Sequence, residues 1–263
     1  MEKICIAIPC YNEAGRLPFK EFEEYLNKNE DISFCFVNDG STDNTLALLY
    51  EIEKHRTDII SIIDFNQNMG KAEAVRRGML AAAEWNKFDF IGFFDADLST
   101  PLDQLKLFLK FYYENDKLEI IIGSRVKRMG AIIERNSYRH YIGRIFATFA
   151  SIILHLPVYD TQCGAKIFKN HLIPAIFEKP FLSKWFFDIE IFARIISKYG
   201  YTYLYDSLIE VPLLKWYEKG KSKLRITDFI NVPLDLLKIH LHYRKTIKLE
   251  LDIYNTEIAK KTS

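Results

Sequence analysis

Cysteine is scarce in this chain. Four occur in 263 residues, at positions 5, 10, 35 and 163, and none stands in Cys-x-x-Cys spacing. That argues against a structural zinc site and against a disulfide framework, and it fits a reducing compartment. An excess of one charge is also lacking. The 36 basic and 35 acidic residues leave a formal charge of +1, so no global field points to nucleic acid and no such partner is expected. Long apolar runs are missing too. The longest, Ile145 to Val158, is interrupted by His155 and Pro157, too short and too broken to span a bilayer. The apolar run after Lys3 is too short for a signal peptide. The expectation is a soluble cytoplasmic chain, peripheral at most on the cytoplasmic face of a membrane. His240 and His242, two apart, face different ways on a helix and do not read as a ligand pair. What is present is an ordinary globular balance, 49% hydrophobic and 27% charged, with enough length for a substantial core.

The first half alternates strand and helix patterns. Strand-like runs fall at Ile4 to Pro9, Ile32 to Asn38, Ile59 to Phe65, Phe90 to Asp95 and Leu118 to Gly123. Helical patterns lie between them, around Phe19 to Asn27, Thr45 to His55, Ala72 to Trp85 and Leu102 to Tyr113, the last with Thr100 as N-cap and Pro101 at its first position. The alternation predicts a mostly parallel sheet flanked by helices. Right-handed crossovers then bring the loops after Pro9, Asn38, Phe65 and Asp95 to one edge, where such sheets bind ligands. The second half is less regular. A helix is expected over Ser137 to Leu154, a strand at Ala165 to Phe168 and a helix near Ile189 to Lys198. Paired strands are expected at Tyr201 to Tyr205 and Ile209 to Leu213, and a last helix from Asp228 to about Arg244. No repeat or low-complexity linker divides the chain.

Four loops carry the chemistry. Asp95-Ala96-Asp97 puts two carboxylates at a buried strand's end. Such acids need a positive partner, and a divalent metal holding a diphosphate is the usual one; solvated loop acids are the alternative reading. Pro9-Cys10-Tyr11-Asn12-Glu13 lacks the Gly-x-Gly-x-x-Gly of dinucleotide-binding proteins, and its aromatic and polar groups suit a base and ribose. In Asn38-Asp39-Gly40-Ser41-Thr42-Asp43, Asp39 can accept hydrogen bonds from a base or ribose, and Ser41 or Thr42 can cap the next helix. Asn68-Met69-Gly70-Lys71 opens a helix without Gly-x-x-x-x-Gly-Lys, which argues against an NTPase loop. Lys71 reads as a nucleotide contact or a surface charge.

These four segments, in this order, resemble an inverting family 2 glycosyltransferase of GT-A fold. The likeness spans nearly the whole chain. Asp160-Thr161-Gln162-Cys163-Gly164-Ala165-Lys166-Ile167-Phe168, Phe187-Asp188-Ile189-Glu190, and Trp216 followed by Ser222-Lys223-Leu224 are similar to dolichyl-phosphate glucosyltransferases and the wider polyprenyl-phosphate branch. The resemblance implies a GT-A (Rossmann-like) α/β domain over residues 1–226, with a nucleotide-sugar half to about 124 and an acceptor half to 226, then a C-terminal amphipathic helix and tail over 227–263. It implies that Pro9, Tyr11, Glu13 and Asp39 bind the nucleoside and that Lys71 lies near the base. Asp95, Ala96 and Asp97 would meet the nucleotide sugar, with Asp95 and Asp97 holding Mg²⁺ or Mn²⁺. UDP-glucose is the first donor expected and GDP-mannose the second.

A polyprenyl phosphate acceptor is ionised near neutral pH, its second pKa being about 6, and needs cations rather than a base. Arg125 and Arg139 stand where polyprenyl-phosphate transferases hold that phosphate; surface arginines are the alternative. A glycan hydroxyl would instead need a base, for which Asp188 is the candidate. The expected catalytic set is thus Asp97, Asp188, Arg125 and Arg139. Lys215 to Lys223, basic and aromatic, reads as a flexible lid with Lys221 or Lys223 contributing charge to the nucleotide sugar, or as a solvated loop. The last helix mixes Leu234, Leu237 and Leu241 with Lys238, Arg244, Lys245 and Lys248, a pattern that suits either an anionic membrane surface or packing on the core. A non-catalytic nucleotide-sugar-binding module is the alternative of another class.

Overall fold

The structure, a computed structural model, describes residues 2–135, 137–219 and 226–262. In chain order they form β1 (Ile4–Cys10), α1 (Phe19–Leu26), β2 (Ile32–Asn38), α2 (Thr45–His55), β3 (Ile60–Asp64), α3 (Lys71–Glu84), β4 (Phe90–Phe94), α4 (Gln104–Glu114) and β5 (Ile120–Ser124). Then come β6 (Ile132–Glu134), α5 (Ser137–Leu154), β7 (Ala165–Lys169), α6 (Ile173–Phe177), α7 (Phe187–Ser207), β8 (Leu208–Pro212), β9 (Lys215–Tyr217) and α8 (Ile226–Thr262). Strand side chains alternate faces, and that period builds two cores. Ile4, Ile6 and Ile8 join Phe34, Phe36 and Phe90 on one face, with Phe22 of α1 and Phe108 of α4. Cys5, Ala7, Cys35, Val37, Ile91 and Phe93 line the other, beneath α3, α6 and α7. Strands buried on both faces read as continuous apolar runs, which is how β1, β2 and β4 look in the sequence.

The main sheet has seven strands in the order β3-β2-β1-β4-β7-β5-β8. Every pair is parallel except those of β7, which runs antiparallel to β4 and to β5. The predicted α/β class and the clustering of loops at one edge are both observed. Because β7 is reversed, the loop that precedes it, 160–164, arrives at the edge where β1 to β5 end.

Several local expectations are corrected. Tyr201 to Tyr205 is not a strand but the second arm of α7, which bends at Gly200, φ 79°. The aromatic run looks β-prone, yet Tyr201 and Leu204 are buried at helical spacing, and the Tyr201 hydroxyl donates to the Leu154 carbonyl at 2.6 Å. Tertiary packing overrides propensity there. Thr100 does not cap α4; the helix begins at Gln104, whose N–H donates to the Pro101 carbonyl at 3.0 Å in a preceding turn. Asp43, not Ser41 or Thr42, serves the start of α2, accepting the Thr45 N–H at 3.0 Å. Lys215 to Tyr217 is a short strand parallel to β6 rather than loop, while Lys221 and Lys223 lie outside the described residues. The last helix does not stop near Arg244 but runs to Thr262, through Pro233. Among the described residues no helix is long and apolar enough to cross a membrane.

Candidate active site

The first two loops are stitched together. The Asn12 N–H donates to Ser41 Oγ at 3.0 Å, and the Thr42 N–H donates to Asn12 Oδ1 at 2.8 Å. The Glu13 N–H donates to Thr45 Oγ1 at 2.7 Å, so Pro9, Tyr11 and Glu13 are held beside the second loop. The buried Glu13 carboxylate is forked by Arg16. Arg16 also comes within 3.8 Å of Asp97 Oδ2, linking the first loop to the acid pair.

Asp39 organises the third loop. Its carboxylate accepts the Met69 N–H at 2.6 Å, the Gly70 N–H at 2.9 Å and the Asn68 side-chain amide at 3.0 Å. Gly40, at φ +62°, passes so close to the Gln67 backbone that a Cβ would collide with it; only glycine fits. Burial raises the Asp39 pKa, opposed by those two backbone N–H groups and by Lys184. Lys71 begins α3, and its Nζ lies 2.5 Å from Asp95 Oδ1. The structure thus joins Lys71, which the resemblance places near the base, to the first acid of the pair.

Asp95 and Asp97 leave β4 at the predicted edge. The Asp95 N–H donates to the Gly164 carbonyl at 3.1 Å, and a Cβ on Gly164 would strike the Asp95 carboxylate. Asp97 Oδ1 accepts the Ser99 N–H at 2.9 Å. Burial and then the neighbouring Asp95 charge raise the Asp97 pKa, opposed by the Ser99 N–H and by Arg16, as expected of two carboxylates sharing a half-buried site. Hard oxygens in that state fit Mg²⁺ or Mn²⁺. No group of three or more metal-binding side chains occurs among the described residues.

Across the edge, Arg125 follows β5 and forks Asp160, with Nε at 2.6 Å and Nη2 at 2.8 Å from its oxygens. Its guanidinium lies over the Trp216 ring, 5.4 Å from the centroid. Glu210 of β8 fixes the same turn by accepting the Asp160 N–H at 2.7 Å and the Tyr159 N–H at 2.9 Å. Burial alone would raise the Asp160 pKa, but Arg125 outweighs it and drives it far below the usual carboxylate range. Arg135 joins this cluster. Burial and then the nearby Arg125 charge lower its pKa to about 10, opposed by Asp160 and Glu218. Arg139 sits on the first turn of α5, its side chain outside the described part of the structure.

Asp188 opens α7, buried, with Oδ1 2.5 Å from the fully buried Lys166 Nζ. The Lys166 ammonium also donates to the Cys163 carbonyl at 2.7 Å. Burial raises the Asp188 pKa against the pull of Lys166 and Lys71. Sequence reasoning assigned no role to Arg16, Arg135, Asp160 or Lys166. The 160–168 segment carried a signal as a motif, whereas Arg16 and Arg135 carried none.

A family profile described as Glycosyl transferase family 2 matches residues 5–177. A dolichyl-phosphate beta-glucosyltransferase of Trichomonas vaginalis is 30% identical, the match covering 96% of this chain and 75% of that one. The Saccharomyces cerevisiae protein of that name is 30% identical over 91% and 75%, and the human one 26% over 92% and 76%. Among solved structures, glucosyl-3-phosphoglycerate synthase of Mycobacterium tuberculosis, in complex with Mn²⁺, UDP and phosphoglyceric acid, superposes with a TM-score of 0.64 at 16% identity, covering 91% of this chain and 78% of that one. Mannosyl-3-phosphoglycerate synthase of Rubrobacter xylanophilus gives 0.67 at 13%, covering 92% and 73%. These two share the fold. With its loops, acid pair and sheet order arranged in this way, the chain belongs to glycosyl transferase family 2 and is a glycosyltransferase of GT-A fold.

Proposed function

We propose that this glycosyltransferase moves a hexose from a nucleotide sugar, UDP-glucose before GDP-mannose, to a polyprenyl phosphate of the dolichyl type, with inversion. The names of its relatives support the acceptor and the glucosyl donor. The observation that carries the reading is that the candidate base, Asp188, is buried and ion-paired with the fully buried Lys166, while the Arg125 guanidinium, held in plane by Asp160 and Trp216, lies within electrostatic reach of Asp95. A phosphate acceptor calls for such a guanidinium and needs no base.

Asp95 and Asp97 would hold Mg²⁺ or Mn²⁺, which when bound neutralises charge developing on the diphosphate leaving group. Solved neighbours contain Mn²⁺ with UDP, which supports the choice of ion. Pro9, Tyr11 and Glu13 shape the nucleoside wall, and Asp39 keeps the 68–70 turn against it. Arg125, held by Asp160 and Trp216, presents its guanidinium to the acceptor phosphate in a fixed plane. Arg135 adds to that field; Arg139, from the first turn of α5, is the second candidate contact for the acceptor phosphate. Asp188 pairs with Lys166 in the core and lends negative potential to Lys71.

The lipid acceptor implies peripheral contact with a membrane's cytoplasmic face. Leu234, Leu237 and Leu241 of α8 are exposed, as are Ile145, Phe149 and Ile152 of α5, and Lys238, Arg244, Lys245 and Lys248 flank them. Exposed apolar side chains beside basic ones suit an anionic lipid surface. The decisive experiment supplies radiolabelled UDP-glucose and GDP-mannose with membrane lipid extract. Label in an acid-labile lipid is expected; label confined to glycan would replace this reading with a hydroxyl acceptor and Asp188 as its base.

A further inference from the structure

Lys71 occupies an unusual position for a cation. It is the first residue of α3, where the helix dipole favours negative charge. Acids hold it there instead. Its Nζ is 2.5 Å from Asp95 Oδ1. Burial works against its charge, but Asp95 and Asp188, with Asp97 behind them, outweigh that and keep its pKa above the ordinary lysine value. About a third of its side-chain surface is exposed (36%), so the ammonium can move without breaking the core.

The acids have less freedom. Asp95 is confined by Gly164, whose missing side chain is the space its carboxylate fills, and its N–H is bonded to the Gly164 carbonyl. Asp97 is pinned by the Ser99 N–H. A dication drawn to these two carboxylates therefore meets Lys71 at a fixed place. A lysine ammonium and a dication drawn to the same carboxylate would repel strongly at a half-buried site, so Asp95 Oδ1 would accommodate one or the other.

We propose that Lys71 is an internal counter-ion that competes with the divalent cation for Asp95. This inference rests on the reading of Asp95 and Asp97 as dication ligands. In the donor-free protein Lys71 balances the acid pair and keeps affinity for free metal low. When a nucleoside diphosphate arrives with its metal, the ammonium transfers to a diphosphate oxygen, with Asp188 within electrostatic reach as a second acceptor. Metal and nucleotide then bind with positive coupling, each lowering the concentration of the other needed for occupancy. Lys71 is in this account a positioning residue, acting on donor binding through Asp95.

The test measures Mn²⁺ uptake by electron paramagnetic resonance for the wild type, Lys71→Met and Lys71→Arg, alone and with UDP or GDP. For Lys71→Met we expect free Mn²⁺ to bind at least about tenfold tighter, and the strengthening of Mn²⁺ binding by nucleotide to shrink by a similar factor. Lys71→Arg, which keeps the charge, should follow the wild type. Equal or weaker free-Mn²⁺ affinity in Lys71→Met, with nucleotide-dependent uptake intact in the wild type, overturns the counter-ion and leaves the acid pair standing. Wild-type protein that takes up no Mn²⁺ even with either nucleotide overturns both. Circular dichroism melting of each variant verifies the fold, and Lys71→Gln repeats the comparison with a polar neutral side chain.

Discussion

A single added methyl group tests the site most sharply. Gly164→Ala would drive a Cβ into the Asp95 carboxylate, so sugar transfer should fall about a hundredfold or more, the scale of losing one electrostatic stabiliser of developing charge. Asp97→Asn should lose activity on the same scale while its melting temperature holds, a comparison that turnover and calorimetry settle together. Asp160 works through stability instead. Removing it leaves Arg125 buried and unpaired, and Asp160→Ala should destabilise the protein by about 3–5 kcal/mol in denaturant titrations. Its pH dependence has a definite sign. The folded pKa lies far below the unfolded value of about 3.9, so the stabilisation is complete above that value and is lost as pH falls through the folded one. The melting-temperature gap between wild type and Asp160→Asn should therefore stay constant from about pH 8 to 5 and narrow below about pH 4. Asp95, Asp97 and Asp39 were legible in the sequence because each ends a strand whose apolar pattern fixes its place. The partner of Arg125 lies 35 residues away and that of Lys166 lies 22 away, and no local period encodes such pairings.

Elements were most legible where local pattern and burial agree. The sequence placed the ends of β2 and α2 where the structure has them, because each shows one period bounded by turn or polar residues. The second arm of α7 was hidden because Tyr201 and Tyr205 find their aromatic partner, Tyr254, about fifty residues later on α8, tilted against the first and stacked on the second. The length of α8 was hidden for the same reason. Its C-terminal half is polar on most sides and is held by contacts with α7, such as the Thr202 hydroxyl donating to Glu257 at 2.6 Å. Its inward and outward faces should respond differently. Ile239 is fully buried, so Ile239→Ala should cost about 2–5 kcal/mol. Leu237, 51% exposed, should tolerate alanine within about 0.5 kcal/mol. Thermal unfolding of the two variants side by side checks both.

At the scale of the whole molecule, a net charge of +1 gives lipid no long-range attraction, and any membrane affinity must come from a local patch. Leu237→Glu combined with Leu241→Glu should abolish flotation with anionic vesicles, whereas the wild type should float and lose affinity as salt rises. Wild-type protein that stays at the bottom of the gradient would remove the membrane from the account. The reversed β7 has a separate consequence. Residues Ile120 to Ile122 lie in register with Ile167 and its neighbours, so the chain segment from 125 to 164 departs and returns at adjoining points. Such a segment is an exchangeable cassette with its ends already side by side. Transplanting residues 125–163 from a distant relative, with Gly164 kept beneath Asp95, should redirect the enzyme toward another recipient molecule while the acid pair keeps its place.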